Sequence, residues 1–185
     1  MRVVQLAKGA SWQTDCMLRE RTDALQAPLI ASDEGSRSLP MLTSAQIFTI
    51  GYEGRTVGEL LDQLQLHKID VLVDVRLTPL SRKKGFSKRV LAQALAEVGI
   101  EYVHEPGLGN PKDNRDDFRK GVESAWARYR EHLAAAQLRL DSVIALTVDR
   151  TVALLCFERD HAQCHRSCIT QVAQASDPRL VVSRL

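Results

Sequence analysis

From residue 47 onward the apolar positions switch between short, nearly continuous runs and repeats at i, i+3, i+4, i+7, which predicts strands and helices in alternation. The first run, Ile47-Phe48-Thr49-Ile50, ends in Gly51-Tyr52-Glu53-Gly54. Thr56 and Glu59 then have the spacing of a capping box, and Val57, Leu60, Leu61 and Leu64 fall on one face of the helix it opens. His67 closes that helix as a solvated end residue. Ile69-Asp70-Val71-Leu72-Val73-Asp74-Val75 is β-branched and almost unbroken, as strands covered on both faces are. A basic loop leads to a helix over residues 87–98 with Leu91, Ala94, Leu95 and Val98 inward. Gly99 stops it, and Ile100-Glu101-Tyr102-Val103-His104 is a third strand.

A Gly/Pro loop over residues 105–111 precedes a long amphipathic stretch in which Phe118, Val122, Ala125, Tyr129, Leu133 and Ala136 share a face, and a second helical piece runs to about Leu146. Val152-Ala153-Leu154-Leu155-Cys156-Phe157 is a fourth strand. Residues 164–175 form a helix with Ile169, Val172 and Ala173 inward, and Leu180-Val181-Val182 is the last strand. A parallel neighbour cannot be reached through a tight turn, so strands separated by helices pair in parallel through right-handed crossovers. The expected fold is a single doubly wound, mostly parallel, Rossmann-like α/β sheet with helices on both faces, over residues 47–185. Ligands of such sheets bind outside the carboxyl ends of the strands, which directs attention to the segments after Ile50, Val75, His104 and Phe157.

Residues 1–46 read differently. Gln26-Ala27-Pro28, Ser32-Asp33-Glu34-Gly35-Ser36 and Ser38-Leu39-Pro40 interrupt every apolar stretch, so a poorly ordered tail is expected. Its basic residues (Arg2, Lys8, Arg19, Arg21, Arg37) are matched by as many acidic ones (Asp15, Glu20, Asp23, Asp33, Glu34), which excludes a basic nucleic-acid arm. Met41 is a second candidate initiator.

Length and composition agree with one globular domain plus a tail: 185 residues, 44% hydrophobic and 26% charged. A net charge of +2 is too small to draw nucleic acid by bulk attraction, so any basic function must come from local clustering. Cys16, Cys156, Cys164 and Cys168 do not form the even ladder of a disulfide framework. No apolar run approaches the ~20 residues that span a bilayer, and the N-terminus lacks a secretory h-region, so no membrane association and a cytoplasmic location are expected.

Two clusters carry candidate chemistry. Asp74 and Arg76 lie two apart at the end of the second strand and project to one side of the sheet, where a covered acid requires a partner, Arg76 or Arg82. The segment from Arg76 to Arg89 holds six cations and no acid. A basic loop rising into a helix N-terminus at Ser87 has both the charge and the free N–H groups to hold phosphate. Arg76, Ser81 and Arg82, nearest the strand end and joined by Tyr52 from the first strand, are the anion-binding candidates, while Lys83, Lys84, Lys88 and Arg89 also read as a solvated face. The second cluster is Cys156-Phe157-Glu158 with Cys164-His165-Arg166. Cys156 and Glu158 share a face, and Cys164, His165 and Arg166 fall in the first turn of a helix. A thiol there, beside Arg166 and His165, is expected to have a lowered pKa and to serve as nucleophile or ligand; buried core cysteine is the competing reading for Cys156 and Cys164. Cys168, on the face of Val172, reads as core. The C-x7-C-H-x2-C spacing lacks C-x2-C knuckles, so neither zinc nor an iron–sulfur cluster is expected. His161 precedes the helix and His132 flanks one, so neither reads as a metal ligand.

With these residues assembled, the chain resembles the family catalogued as domain of unknown function 488. The matching pieces are Thr49-Ile50-Gly51-Tyr52-Glu53-Gly54, Leu72-Val73-Asp74-Val75-Arg76 with Pro79 and Ser81-Arg82, Phe86, Gly99-Ile100-Glu101-Tyr102 with Leu108-Gly109, and Leu154-Leu155-Cys156-Phe157-Glu158 with Cys164-His165-Arg166. Their order and spacing, rather than any single piece, make the match specific. The resemblance implies an α/β fold and a site built from Asp74, Arg76, Ser81, Arg82, Glu158, Cys164, His165 and Arg166, and it implies no activity. Asn110, where relatives often carry a second Gly, and the unmatched residues 1–46 are departures.

Three functions fit these residues. The first is an enzyme acting on a small phosphate-bearing or nucleotide-like substrate. Arg76, Arg82, Arg166 and the helix N-terminus would hold the anion, Glu158 or His165 would act as acid/base, and Cys164 as nucleophile, with Cys156 beside it. The second is a non-catalytic nucleic-acid-binding protein that uses the basic loop 76–89. The third is thiol transfer of the rhodanese or phosphatase type, since Val73-Asp74-Val75-Arg76 and a strand ending in Cys156 are similar to those of rhodaneses. It ranks last because the loop after Cys156 has no glycine and lacks the tight anion-cradling C-x-x-G-x-R form.

Overall fold

A computed structural model describes residues 45–185. The expected tail lies outside the described residues except for Ala45 and Gln46, as does Cys16. Five strands, β1 (Gln46–Gly51), β2 (Val71–Asp74), β3 (Glu101–His104), β4 (Val152–Cys156) and β5 (Val181–Arg184), form one sheet in the order β3-β2-β4-β1-β5. Every pair is parallel, so the sheet is wholly rather than mostly so. In register, Gly51 lies opposite Cys156, and Asp74 opposite both Leu155 and His104.

Alternate residues of the central strands feed two cores, as the two-residue period of a strand requires. Phe48, Ile50, Leu72, Ala153 and Leu155 pack under Leu60 and Leu64 of α1 (Val57–Leu66) and Leu91 and Leu95 of α2 (Lys88–Glu97). Ile47, Val71, Val73, Val152 and Leu154 pack on the opposite side. Their partners are Tyr129 and Leu133 of α4 (Glu123–Ala135), Leu140 and Val143 of α5 (Gln137–Leu146), and Ile169 and Ala173 of α6 (Arg166–Ser176). Cys168 belongs to that second core. No helix among the described residues is long and apolar enough to cross a membrane.

The chain runs from β1 through β2 to β3 toward one edge, using α1 and α2 on one face. It then runs from β3 through β4 to β5 toward the other edge, using the opposite face. A constant right-handed crossover demands that direction and face reverse together. The reversal leaves a crevice at the carboxyl ends of β1, β2 and β4, where the candidate side chains gather.

The capping box forms as its spacing predicts: Glu59 N–H donates to Thr56 Oγ1 at 3.2 Å, and Thr56 N–H to Glu59 Oε2 at 2.6 Å. His67 is half-buried rather than solvated, its ring lying 5.4 Å from that of Phe48. The long amphipathic stretch is not one helix. It breaks into α3 (Arg115–Arg119) and α4 at Gly121, whose φ of +76° ends the hydrogen-bond ladder. The break resets the helical phase, so Phe118, Ala125, Tyr129 and Leu133 are buried while Val122, at the start of α4, is exposed. The final helix begins at Arg166 with His165 as its N-cap, which puts Cys164 just ahead of it rather than in its first turn.

Candidate functional site

Asp74 ends β2 fully buried, and its partner is Arg76, not Arg82. Asp74 Oδ1 accepts from Arg76 Nε at 2.8 Å and from Arg76 N–H at 3.0 Å. Its Oδ2 accepts from Arg76 Nη2 at 2.5 Å and from the Tyr102 hydroxyl at 2.6 Å. Arg76 Nη1 reaches the Tyr52 hydroxyl at 3.0 Å and the Phe86 carbonyl at 2.9 Å. Burial alone would lower the pKa of Arg76, but the hydrogen bond and charge of Asp74, with Tyr52, hold it above its usual value. Burial and Asp74 push the Tyr102 hydroxyl up. The guanidinium is thus committed to the protein: it ties the basic loop to β1 through Tyr52, whose ring stacks on Phe86 at 4.3 Å.

The second cluster comes together at the end of β4. Gly51 lies so close to this turn that a Cβ there would collide with the carbonyl of Glu158, so a small residue is required for β1 and the β4 turn to meet. One ligand-type atom from each of Cys156, Glu158, Cys164 and His165 lies within 4.8 Å of all the others. Cys156 Sγ donates to Glu158 Oε2 at 3.0 Å. His165 Nδ1 is 3.8 Å from the sulfur of Cys156 and 3.8 Å from that of Cys164. The other ring nitrogen, Nε2, is 3.1 Å from the carbonyl of Val75. From behind, Arg166 Nε donates to Cys164 Sγ at 3.1 Å and Nη2 to the Glu158 carbonyl at 2.5 Å.

Crowding sets the protonation of this cluster. Burial, then Cys164 and Glu158, push the Cys156 thiol well up. Burial would raise Cys164 as well, but the neighbouring Cys156 thiol and the charges of His165 and Arg166 carry it well below the ordinary thiol range. Burial and the sulfur of Cys164 raise Glu158. Burial would lower His165, yet Cys164 and Glu158 raise it.

These groups form one side of a cleft of about 570 Å³ at the sheet's carboxyl end. Tyr52, Arg76, Ser81, Arg82, Cys156, Glu158 and His165 line it. Asp74 is buried beneath it, and Cys164 and Arg166, each 1% exposed, lie behind it. The structure therefore brings both predicted clusters to one crevice, but it removes Arg166 and the sulfur of Cys164 from direct reach of a substrate. The Ser81 hydroxyl accepts from Lys83 N–H at 3.1 Å. Arg82 is exposed and makes no ion pair among the described residues.

Sequence reasoning missed the opposite wall. Lys112, Arg115 and Arg119 come from a 3-10 turn at Lys112–Asn114 and from α3, and all three line the cleft. Their spacing of three and four was a legible sign of one face. Asn110 anchors that wall: its carbonyl accepts from Arg115 Nε at 3.0 Å, and its side-chain oxygen accepts from the buried Asn114 amide at 3.0 Å. His132 fastens the preceding loop through the Gly107 carbonyl at 2.8 Å.

No curated protein and no solved structure matches the chain. The model of the family described as "Domain of unknown function DUF488" matches residues 56–173, from the start of α1 through most of α6, and so takes in both clusters apart from Tyr52. On that match, the chain belongs to the DUF488 family.

Proposed function

We propose that this protein is an enzyme acting on a small phosphate-bearing or nucleotide-like substrate. The single observation behind this reading is the pairing within one cleft of a mainly cationic rim (Arg82, Lys112, Arg115, and Arg119 ion-paired with Asp116) with a floor of Cys156, Glu158 and His165. Anion-binding groups above reactive side chains at a switch point are the arrangement that holds a charged substrate while its bonds change. Arg82, Lys112 and Arg115 bind the anion. Tyr52, Ser81 and Arg76 shape the near wall, and Glu158 and His165 move protons. Cys164 and Arg166 act through the floor from behind rather than on the substrate.

Nucleic-acid binding through loop 76–89 draws less support. Arg76 is committed to Asp74, Lys83 Nζ donates to the Tyr52 carbonyl at 3.1 Å, and Lys88 Nζ lies 3.2 Å from His104 Nδ1. Calorimetry against inorganic phosphate, nucleotides and phosphosugars tests the enzyme reading. The parent protein is expected to bind at least one of these. Arg82→Ala or Arg115→Ala should each weaken it about tenfold, the scale of one charge-assisted hydrogen bond. A panel with no binder ends the proposal. Binding only of polynucleotides, lost steeply with added salt and untouched by Arg115→Ala, would favour the basic loop instead.

A further inference from the structure

The floor of the cleft is a cluster of side chains of metal-ligating type. Two sulfurs, a carboxylate oxygen and an imidazole nitrogen converge within 4.8 Å. Arg166 approaches with its positive charge from behind, through Cys164 Sγ. A tetrahedral zinc ion with Zn–S near 2.3 Å and Zn–N near 2.0 Å sets its sulfur and nitrogen ligands about 3.5 Å apart. His165 Nδ1 already stands 3.8 Å from each sulfur.

The histidine is oriented for this role. The Val75 carbonyl can only accept, so Nε2 keeps its proton and Nδ1, facing both sulfurs, is the nitrogen left to coordinate. An N–H donated outward to a backbone carbonyl is the usual support of a metal-bound histidine. Burial completes the picture: Cys156 is 4% exposed, Cys164 1% and His165 6%. Glu158 is half-buried and lines the cleft, as Cys156 and His165 also do. Glu158 Oε2 sits 3.0 Å from Cys156 Sγ and would move outward by about half an ångström to reach a ligand position.

We propose that Cys156, Cys164 and His165 Nδ1 hold a zinc ion, with Glu158 as the fourth, exchangeable ligand facing the cleft. Two thiolates and one imidazole select a borderline-soft ion over magnesium or calcium. Binding displaces into solvent whatever protons the two sulfurs and Nδ1 hold, and the charge of Arg166 offsets the surplus negative charge of the thiolates and carboxylate. Cys164 thereby gains a role that suits its place behind the cleft, where it is badly sited to attack a substrate. The C-x7-C-H spacing hid the site because its ligands meet only when the turn after β4 folds back onto β2. The inference deepens the enzyme reading and rests on it only for the open cleft over Glu158.

The test uses untagged full-length protein kept in a non-chelating reductant. Elemental analysis of the purified protein should find about one zinc per chain. After stripping, titration with Co2+ should produce thiolate-to-metal charge-transfer bands together with intense tetrahedral ligand-field bands. These are read on the parent protein, so they do not depend on any variant folding. Cys156→Ser and Cys164→Ser should each weaken zinc by more than about 100-fold, beyond what loss of an outer hydrogen-bond partner costs. Protein that is isolated without zinc and gives no Co2+ bands overturns the site, as do Co2+ bands without thiolate character. Running the phosphate panel on stripped and loaded protein separates the two ideas. Phosphate binding without any metal binding removes the zinc and leaves the cleft reading intact, whereas tight zinc with no phosphate binder supports the metal and removes the cleft reading.

Discussion

Two buried polar clusters stand side by side at the carboxyl ends of β2 and β4, and they are built on opposite principles. Around Asp74 donors and acceptors are paired closely: both carboxylate oxygens accept twice, and the Arg76 guanidinium reaches Asp74, Tyr52 and Phe86. Around His165 the atoms that meet are two sulfurs, a carboxylate and a ring nitrogen, all of them acceptors once deprotonated. A network so largely paired within the protein holds its loop in place. A cluster of acceptors is satisfied only by protons or by a cation, so the second of the two adjacent clusters is the one that suits the proposed zinc ion.

The same substitution, carboxylate to amide, separates them. Asp74→Asn keeps the shape but leaves the charge of Arg76, 6% exposed, without its counterion. Removing one partner of a buried pair costs about 3–5 kcal/mol, so denaturant unfolding should show a loss on that scale. The loop from Arg76 to Phe86 should also become more open to proteolysis. A loss below about 1 kcal/mol would mean that the Asp74–Arg76 pair does not brace this wall.

Much of the fold was legible because its elements follow one local rule each. The capping box at Thr56 and the unbroken β-branched run ending at Val75 needed nothing distant to be read. Gly121 was harder, since the apolar spacing of Phe118, Val122 and Ala125 continues across it as though the helix did; only its positive φ shows the break. For the site, the two clusters and their strand ends were visible, but contact order was not. Nothing in the spacing of Cys156, Glu158, Cys164 and His165 reveals that His165 turns one nitrogen to Val75 and the other to both sulfurs. The three-and-four spacing of Lys112, Arg115 and Arg119 was the one signal for that wall, and it was passed over because α3 is five residues long and no extended apolar pattern frames it.

A third buried polar group sharpens the contrast, because there a new charge is unwelcome. His161 Nδ1 lies 3.1 Å from the Thr49 hydroxyl, and the Thr170 hydroxyl faces Nε2. Burial, with Arg166 and Arg184 nearby, pushes its pKa down to about 4 from the ordinary 6.5. The fold thus holds His161 neutral while the unfolded chain takes up a proton first. This contribution is complete above about pH 6.5 and is lost as pH falls toward 4. Allowing for solvent screening, the parent protein should lose about 1–2 kcal/mol over that window. His161→Gln should flatten the slope; an unchanged slope would assign the acid sensitivity to other groups.

The smallest effect is the most telling. In metal-free protein, Glu158→Gln removes a negative charge lying 3.0 Å from one sulfur and close to another, and it exchanges an acceptor for a donor that the sulfurs can use. Folding stability should therefore stay within about 0.5 kcal/mol of the parent or rise, the range of a substitution that removes no needed partner. That is the reverse of Asp74→Asn, although each variant trades one oxygen for an NH2 at the end of a neighbouring strand. A loss near 3 kcal/mol at Glu158 would show that its carboxylate already has the counterion it needs inside the protein. The distinction between a closed scaffold and an open site would then fall, and with it the physical reason for placing a cation among these four residues.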